Sequence, residues 1–533
     1  MKLETFFEKF DQFADAPNAV AKMRELVLHL AFSGKLLPTA EPWPLKPLKS
    51  LATKIGSGAT PAGGRESYFT EGIPLIRSMN VHFAGFEPKG LVFLSDEQAK
   101  QLANVTVQPG DVLLNITGAS IGRVTTAPSE MAGARVNQHV AIIRPIKELD
   151  ARFLAKFLAS PAIQRMIDDV QVGATREALT KGMIEQFDIP LPPLAEQKRI
   201  VAKVDELMAL CDRLEAHQQE RETRHAALAR ASLARFADAP TPANLPFLFH
   251  PSYPIPPADL RKSILTLAVQ GKLVPQDPND EPAEDSLARN DERRRATAHS
   301  DHRADEENQP LLSADDRWDI AETWSWRGLA DLVLFVDYRG KTPAKLSSGV
   351  RLLTAKNVRK GQINLSPEEF LSESEYHAWM TRGFPKAGDV LFTTEAPMGN
   401  AAVVELTERF ALAQRVICFQ SYGALEPPFL VLQILSDQFQ FILDKNGTGV
   451  TAKGIKASKL KQLPITIPPL AEQRRIVAKV EQLMVLVDAL ETQLAASRAT
   501  AANLLSALVA ELTTPKTLLG LGMTNGRLSP TKP

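Results

Sequence analysis

The chain is one unit written twice. Pro192–Met208 (PPLAEQKRIVAKVDELM) and Pro468–Met484 (PPLAEQRRIVAKVEQLM) agree at fourteen of seventeen positions, at an offset of 276. A long-period repeat sets the architecture before any local reading does. Weaker matches continue upstream. Gln138 pairs with Gln414, Gly110-Asp111-Val112-Leu113 with Gly388-Asp389-Val390-Leu391, and Asn80-Val81 with Asn357-Val358. Gly58–Pro61 pairs with Gly340–Pro343, Trp43 with Trp324, and Gly34-Lys35-Leu36 with Gly271-Lys272-Leu273. The last match has an offset of only 237, so the second copy carries an insertion of about 45 residues, Asp277 to about Ile320. Its richness in Asp, Glu, Arg and Asn reads as a solvated, flexible or loosely helical excursion.

Each copy therefore runs short helix, globular region, long helix. The long helices open after Pro192-Pro193 and Pro468-Pro469, where a missing N–H is harmless. Ile200, Val204, Leu207, Cys211 and Leu214 recur at alternating steps of four and three. Ile476, Val480, Leu483, Val487, Leu490 and Leu494 do the same, and Leu504 and Leu508 resume the register. That is a coiled-coil seam. The first long helix is expected to reach Phe236, with a polar stretch where Gln218, Arg221 and His225 fall on the seam. The short helices are expected at Ala19–Phe32 and Ala258–Val269, each stopped by a glycine, Gly34 or Gly271. Short apolar runs at Asp111–Ile116, Val140–Ile143, Asp389–Phe392 and Val416–Phe419 read as strands. Ala151–Leu158 and Pro428–Leu435 read as helices, so the globular regions are mixed α/β.

Several function classes fall away. Two cysteines, Cys211 and Cys418, support neither a disulfide framework nor a zinc knuckle, and a reduced cytoplasmic setting fits them. Met1–Pro17 has no apolar segment of the signal-peptide kind, and no apolar run has membrane-spanning length. Gly340-Lys341-Thr342 resembles the end of a phosphate loop, but position 335, where the motif needs glycine, is Phe. Asp111 and Asp389 open strands without a nearby acidic-X-Lys pair and read as turn aspartates. No complete catalytic constellation emerges. Trp43, Trp324 and Trp326 read as core anchors.

Polar clusters in the globular regions point elsewhere. The first copy has Arg77, Asn80, Asn137, Gln138, His139, Arg176 and Lys181. The second has Lys356, Asn357, Arg359, Lys360, Gln414, Arg415, Lys453 and Lys456, with Lys459 and Lys461 beyond. Arg and Lys can pair with guanine, Asn and Gln with adenine, and cations with phosphate. Lys+Arg and Asp+Glu both total 62, so any basic footprint must be local.

The doubled Pro-Pro-Leu-Ala-Glu-Gln-(Lys/Arg)-Arg-Ile-Val motif resembles the junction of recognition domain and conserved helix in type I restriction-modification specificity subunits. Asp337–Pro343 and Pro109–Leu113 are similar to further segments of that family. The resemblance covers nearly the whole chain. It implies an α+β protein with two target-recognition domains joined by long antiparallel coiled-coil helices, arranged as a pseudo-twofold repeat. The implied segments are 1–43 (helical), 44–190 (first recognition domain), 191–275 (central helices), 276–322 (charged insertion), 323–466 (second recognition domain) and 467–533 (last helix and tail). It further implies a non-catalytic subunit whose domains each read half of a bipartite, asymmetric duplex-DNA site. Two methyltransferase subunits and motor-nuclease subunits would be its partners. They would bring S-adenosylmethionine, ATP and Mg²⁺, with no cofactor or metal on this chain and no membrane involved. Two alternatives remain at this level: a coiled-coil scaffold for protein partners, and a DNA-recognition component of another anti-phage system.

Overall fold

The computed structural model describes residues 14, 16–38, 42–61, 67–171, 178–250, 252–301, 318–338, 343–449 and 453–513. The first copy contributes helix α1 (Ala19–Phe32) and strands β1 (Leu45–Pro47), β2 (Ala52–Ser57), β3 (Ile73–Ile76), β4 (Val92–Leu94), β5 (Val112–Asn115), β6 (Val124–Thr126), β7 (Arg135–Val136) and β8 (Val140–Pro145). Helices α2 (Ala151–Leu158) and α3 (Pro161–Gln171), strand β9 (Asp188–Pro190) and the long helix α4 (Leu194–Asp238) complete it. The second copy begins with α5 (Pro257–Val269) and α6 (Ala283–Asp301). Strands β10 (Ser325–Gly328), β11 (Val333–Asp337), β12 (Val350–Leu353), β13 (Phe370–Leu371), β14 (Val390–Thr393), β15 (Ala401–Val403), β16 (Phe410–Leu412) and β17 (Val416–Ser421) follow. Helices α7 (Pro427–Leu435) and α8 (Asp437–Asn446), strand β18 (Pro464–Ile467) and the long helix α9 (Leu470–Thr513) end it.

The two copies share one topology. A four-stranded antiparallel sheet has order β2–β8–β5–β6 in the first and β11–β17–β14–β15 in the second. A small mixed sheet has order β4–β3–β7 or β13–β12–β16, with β3–β7 and β12–β16 parallel. A two-stranded ribbon joins the ends of each globular region, β1 with β9 and β10 with β18. The central sheets are covered on both faces. Val112, Leu114, Ala141 and Ile143 enter the core shared with α2, α3 and α4, while Leu113, Val140 and Ile142 enter the core of the small sheet. In the second copy Val390, Phe392, Ile417 and Phe419 take one side, and Leu391, Val416 and Cys418 the other. Two apolar faces explain why these strands read as unbroken apolar runs rather than as alternation.

The chain forms two compact units, and each long helix begins in one and ends in the other. Unit 1 comprises residues 1–221 and 496–533, and unit 2 residues 222–495. In unit 1, Ile200, Val204, Leu207 and Cys211 share a core with Val20, Met23, Val27 and Leu30 of α1 and with Leu505, Leu508 and Leu512. Ion pairs and hydrogen bonds fix the directions. Lys22 reaches Ser506 and Lys35 the Leu512 carbonyl, so α1 runs with the end of α9. Arg24 pairs with Asp212 and Glu215, and Gln218 donates to the Ala14 carbonyl, so α1 runs against α4. The start of α4 and the end of α9 are therefore antiparallel within unit 1. The expected seam is present, with Leu505 rather than Leu504 fully buried. Unit 2 repeats the lock: Arg261 pairs with Asp488 and Glu491 at the equivalent positions. Gly34 and Gly271 end the short helices at φ +70° and +72°, a conformation that suits glycine.

The near-identical motif has a structural purpose. Gln197 is fully buried. It accepts from the Asp150 N–H (2.8 Å) and donates to the carbonyls of Glu148 (2.9 Å) and Pro192 (2.8 Å). Gln473 does the same with the Glu426 N–H (2.8 Å) and the carbonyls of Ala424 (2.9 Å) and Pro468 (3.0 Å). Each glutamine ties its long helix to the loop that enters α2 or α7.

The described part of the insertion is largely helical, one of its expected forms, and is held by fixed partners. Helix α6 lies on unit 2, with Ala283 and Leu287 buried. Asn290 donates to the Asp331 carbonyl (2.7 Å), and Arg294 pairs with Asp331 (2.6 Å). Glu284 takes Arg327 and Ser325, and Asp280 takes both Nη groups of Arg475. The charges that look solvating in sequence are thus bound to fixed partners. Glu472 is fully buried nearby, and burial pushes its carboxyl above the usual range.

A first prediction concerns the clip. Gln197→Leu leaves one N–H and two carbonyls without partners and should destabilise unit 1 by about 1–3 kcal/mol. Amide exchange read residue by residue should accelerate at Asp150 and spare Glu426; equal protection at both would contradict the role of the clip.

Candidate nucleic-acid interface

Backbone hydrogen bonds bring the polar residues of unit 1 to one place. Asn137 N donates to the Ile76 carbonyl (3.1 Å), setting the 137–139 turn beside Arg77. Ile116 N donates to the His139 carbonyl (3.0 Å), setting it beside Thr117. Leu179 N donates to the Ile116 carbonyl (2.9 Å), and Gly58 N to the Asn137 carbonyl (3.1 Å). Gln138 and His139 therefore lie in one turn with Thr60 and Thr117 beside them, while the neighbouring Arg77 donates to the Gly90 carbonyl and Lys181 follows Leu179 by two residues. The side chains form a chain of hydrogen bonds. Thr60 donates to Gln138, whose amide nitrogen lies 3.0 Å from His139 Nε2, and His139 Nδ1 meets the Thr117 hydroxyl. With the Gln138 amide as donor, Nε2 accepts and Nδ1 carries the proton toward Thr117.

Unit 2 repeats the frame with different side chains. Ala413 N donates to the Leu353 carbonyl (2.9 Å), Thr394 N to the Arg415 carbonyl (3.0 Å) and Ile455 N to the Thr394 carbonyl (3.0 Å). Gln414 and Arg415 lie in the 413–415 turn, Lys356 follows three residues after Leu353, and Lys453 and Lys456 flank Ile455. Arg359 and Lys360 stand in the neighbouring turn closed by the Val358–Ile363 bridge, held by Asn400 donating to the Val358 carbonyl (3.0 Å). Arg415 faces Glu395 at 3.5 Å, and Lys453 pairs with Asp444. Lys356, Arg359, Lys360 and Lys456 are exposed and have no charged partner among the described residues. The first patch is mainly amide and imidazole, and the second is basic. A neutral chain can thus carry a local cationic surface.

Three expected site residues are corrected. Asn80 is fully buried, accepting from Arg77 N (3.0 Å) and donating to the carbonyls of Glu87 and Lys89. Asn357 accepts from Thr354 N (2.9 Å) and donates to Asn364 and Pro367. Asn137 is 4% exposed, and its Oδ1 accepts from His139 N (3.1 Å). Turns that must bury backbone groups use these amides, so they hold the patch rather than meet a ligand. Lys181 is exposed and pairs with Glu185. Lys461 lies 5.9 Å from the centre of the Phe335 ring. Arg176 and the Gly340-Lys341-Thr342 segment lie outside the described residues.

Asp111 and Asp389 hold turns, and Trp324 is the buried tryptophan of the core, with Trp43 and Trp326 half-buried. Asp111 accepts from Gln108 N (2.8 Å) and pairs through both oxygens with Arg144, and Asp389 accepts from Lys386 N (2.8 Å) and Gln420 (2.7 Å). Trp43 donates to Glu196 (3.3 Å), Trp324 packs edge-on against Phe429, and Trp326 against Trp318. Burial raises both cysteine thiols. Among the described residues no three His, Cys, Asp or Glu side chains cluster as metal ligands, and no helix is long and apolar enough to cross a membrane. Sequence reasoning missed Thr60, Thr117 and Glu395. It also missed Gln164 and Gln440, which brace the turns after Thr117 and Glu395 by donating to Gly122 (3.0 Å) and Gly399 (2.9 Å). The near-constant offset of the repeat was the available signal: Gln164 and Gln440 stand 276 apart, as the long-helix motif does, and Thr117 and Glu395 stand 278 apart.

Each copy is thus a mixed α/β recognition module clipped to a long helix. The family described as type I restriction modification DNA specificity domain matches residues 40–222 and 381–497, more than half of the chain, and this chain belongs to that family. It is 28% identical over 399 residues to the type I restriction enzyme EcoAI specificity subunit of Escherichia coli, covering 69% of this chain and 65% of that protein. It is 26% identical over 404 residues to the EcoEI specificity subunit of Escherichia coli, covering 69% and 66%. Both matches span just under two thirds of the relative's length. A longer match, 22% identical over 497 residues, joins it to the EcoKI specificity subunit of Escherichia coli K12, covering 90% and 89%. Among solved structures, the HsdS subunit from Thermoanaerobacter tengcongensis aligns at 18% identity and a TM-score of 0.47, covering 90% of this chain and 97% of that one.

The patch and its scaffold should respond differently to substitution. Asn80→Ala leaves buried groups unpaired and should cost about 1–3 kcal/mol, whereas Gln138→Ala should change stability by no more than about 0.5 kcal/mol. Urea unfolding followed by a probe in unit 1 measures both. Equal losses would show that the two residues do the same job.

Proposed function

We propose that this chain is the non-catalytic, sequence-reading subunit of a type I restriction-modification complex. Each unit reads one half of a bipartite, asymmetric duplex-DNA site. The observation that carries this reading is one backbone frame, built twice, that presents different polar side chains at equivalent positions. Different side chains on one frame read different base edges, so the target need not be a palindrome. Family membership supports the same conclusion. The continuous helices α4 and α9 set the interval between half-sites. Their repeated surfaces dock two methyltransferase subunits, and motor-nuclease subunits complete the assembly in the cytoplasm. S-adenosylmethionine, ATP and Mg²⁺ act on those partners.

The test is a footprint of the chain in complex with its modification subunits. It should show two protected blocks with an exposed interval. Log affinity should fall linearly with log salt, as neutralised phosphates release counterions. One unbroken short block, or no protection, would contradict the proposal. Exchanging residues 44–190 for another specificity subunit's recognition domain should change one half-site and leave the other intact. A change in both would overturn the modular reading.

A further inference from the structure

The 413–415 turn of unit 2 holds a carboxylate where a phosphate-binding surface would not place one. Glu395 lies two residues past the end of β14 and pairs with Arg415 at 3.5 Å, with side chains 37% and 48% exposed. Lysines follow in the adjoining backbone: Lys453 precedes Gly454, which bridges to Glu395, Lys456 follows Ile455, which donates to the Thr394 carbonyl, and Lys356 lies three residues after Leu353, which accepts from Ala413 N. A carboxylate there weakens attraction to phosphate, and an exposed ion pair contributes little to stability. A directional role accounts for it better. The backbone is fixed on every side: Thr394 N donates to the Arg415 carbonyl, Ile455 N to the Thr394 carbonyl, and Glu395 bridges to Gly454. Between these fixed segments, Arg415 Nη2 lies 3.5 Å from Glu395 Oε1 as an ion pair. Guanidinium has five donors in a planar fork, so the remaining N–H groups stay available for a flat, two-acceptor partner.

Resting on the function proposed above, we infer that Arg415 reads a guanine in the half-site of unit 2 and that Glu395 is the positioning residue that aims it. Guanine offers O6 and N7 side by side in the major groove, which the fork matches. The equivalent pair in unit 1 is Thr117 with His139, joined through the Thr117 hydroxyl to Nδ1 on the same backbone frame. That pair cannot present a fork, so the equivalent position of the first half-site is read by different chemistry.

The experiment selects bound duplexes from a randomised library with the complete complex, for the wild type and for Glu395→Gln, Glu395→Asp and Arg415→Lys. The wild type should require guanine at one position of one half-site. Arg415→Lys should reduce discrimination there by about tenfold or more. Glu395→Gln should relax the same position without lowering affinity for non-specific duplex, because it removes a negative charge, and Glu395→Asp should retain part of the preference. Unchanged preference at every position in Glu395→Gln, or an even loss across both half-sites, overturns the inference. If the wild type selects no bipartite site, the functional reading itself fails, which is a different outcome. Thermal unfolding of each variant confirms that the fold is retained.

Discussion

The architecture depends on two buried glutamines. Gln197 and Gln473 each make three hydrogen bonds where no water can replace them, so losing either leaves the polar backbone of a buried junction unpaired. Each bond set joins the first turn of a long helix to the loop that enters the helix on the central sheet. The orientation of a recognition module on its helix is fixed there. Arg24 and Arg261 then lock the short helices, each gripping two carboxylates one turn apart on the long helix. These contacts explain why the ends of the repeat are nearly constant while its middle is free to diverge.

Much of the fold was legible because its signals are periodic. The coiled-coil seam, the short helices with their terminal glycines and the central strands all lie where apolar spacing places them. The pairing order of the sheets was not legible, since strand runs buried on both faces carry no alternation that reveals a neighbour. The helix in the insertion was among the expected forms, but its anchoring on unit 2 was not legible for a related reason. Composition counts charges but not their partners, and Asp280, Glu284, Asn290 and Arg294 all have fixed partners on unit 2.

The interface was legible in outline only. Sequence grouped Gln138, His139, Gln414 and Arg415 among the polar residues of the globular regions without assigning them to turns. It could not separate an amide that faces outward from one that holds a turn together, so Asn80, Asn137 and Asn357 were grouped with them. The repeat draws the distinction only in part, because Gln138 and Gln414 are also the same residue in both copies. Asn80 and Asn357 are the same residue in both copies because both copies need the same turn. His139 and Arg415 differ on one frame, as two readers of different half-sites would.

The central claim is that one frame, used twice, reads two different half-sites. The most direct measurement is the map of modified bases in a genome carrying this gene with its modification partner, compared with the same genome after deletion of the gene. The account predicts one modified motif, made of two short unlike sequences at a fixed interval, that disappears on deletion. A palindromic or unbroken motif, or modification that survives the deletion, would contradict it.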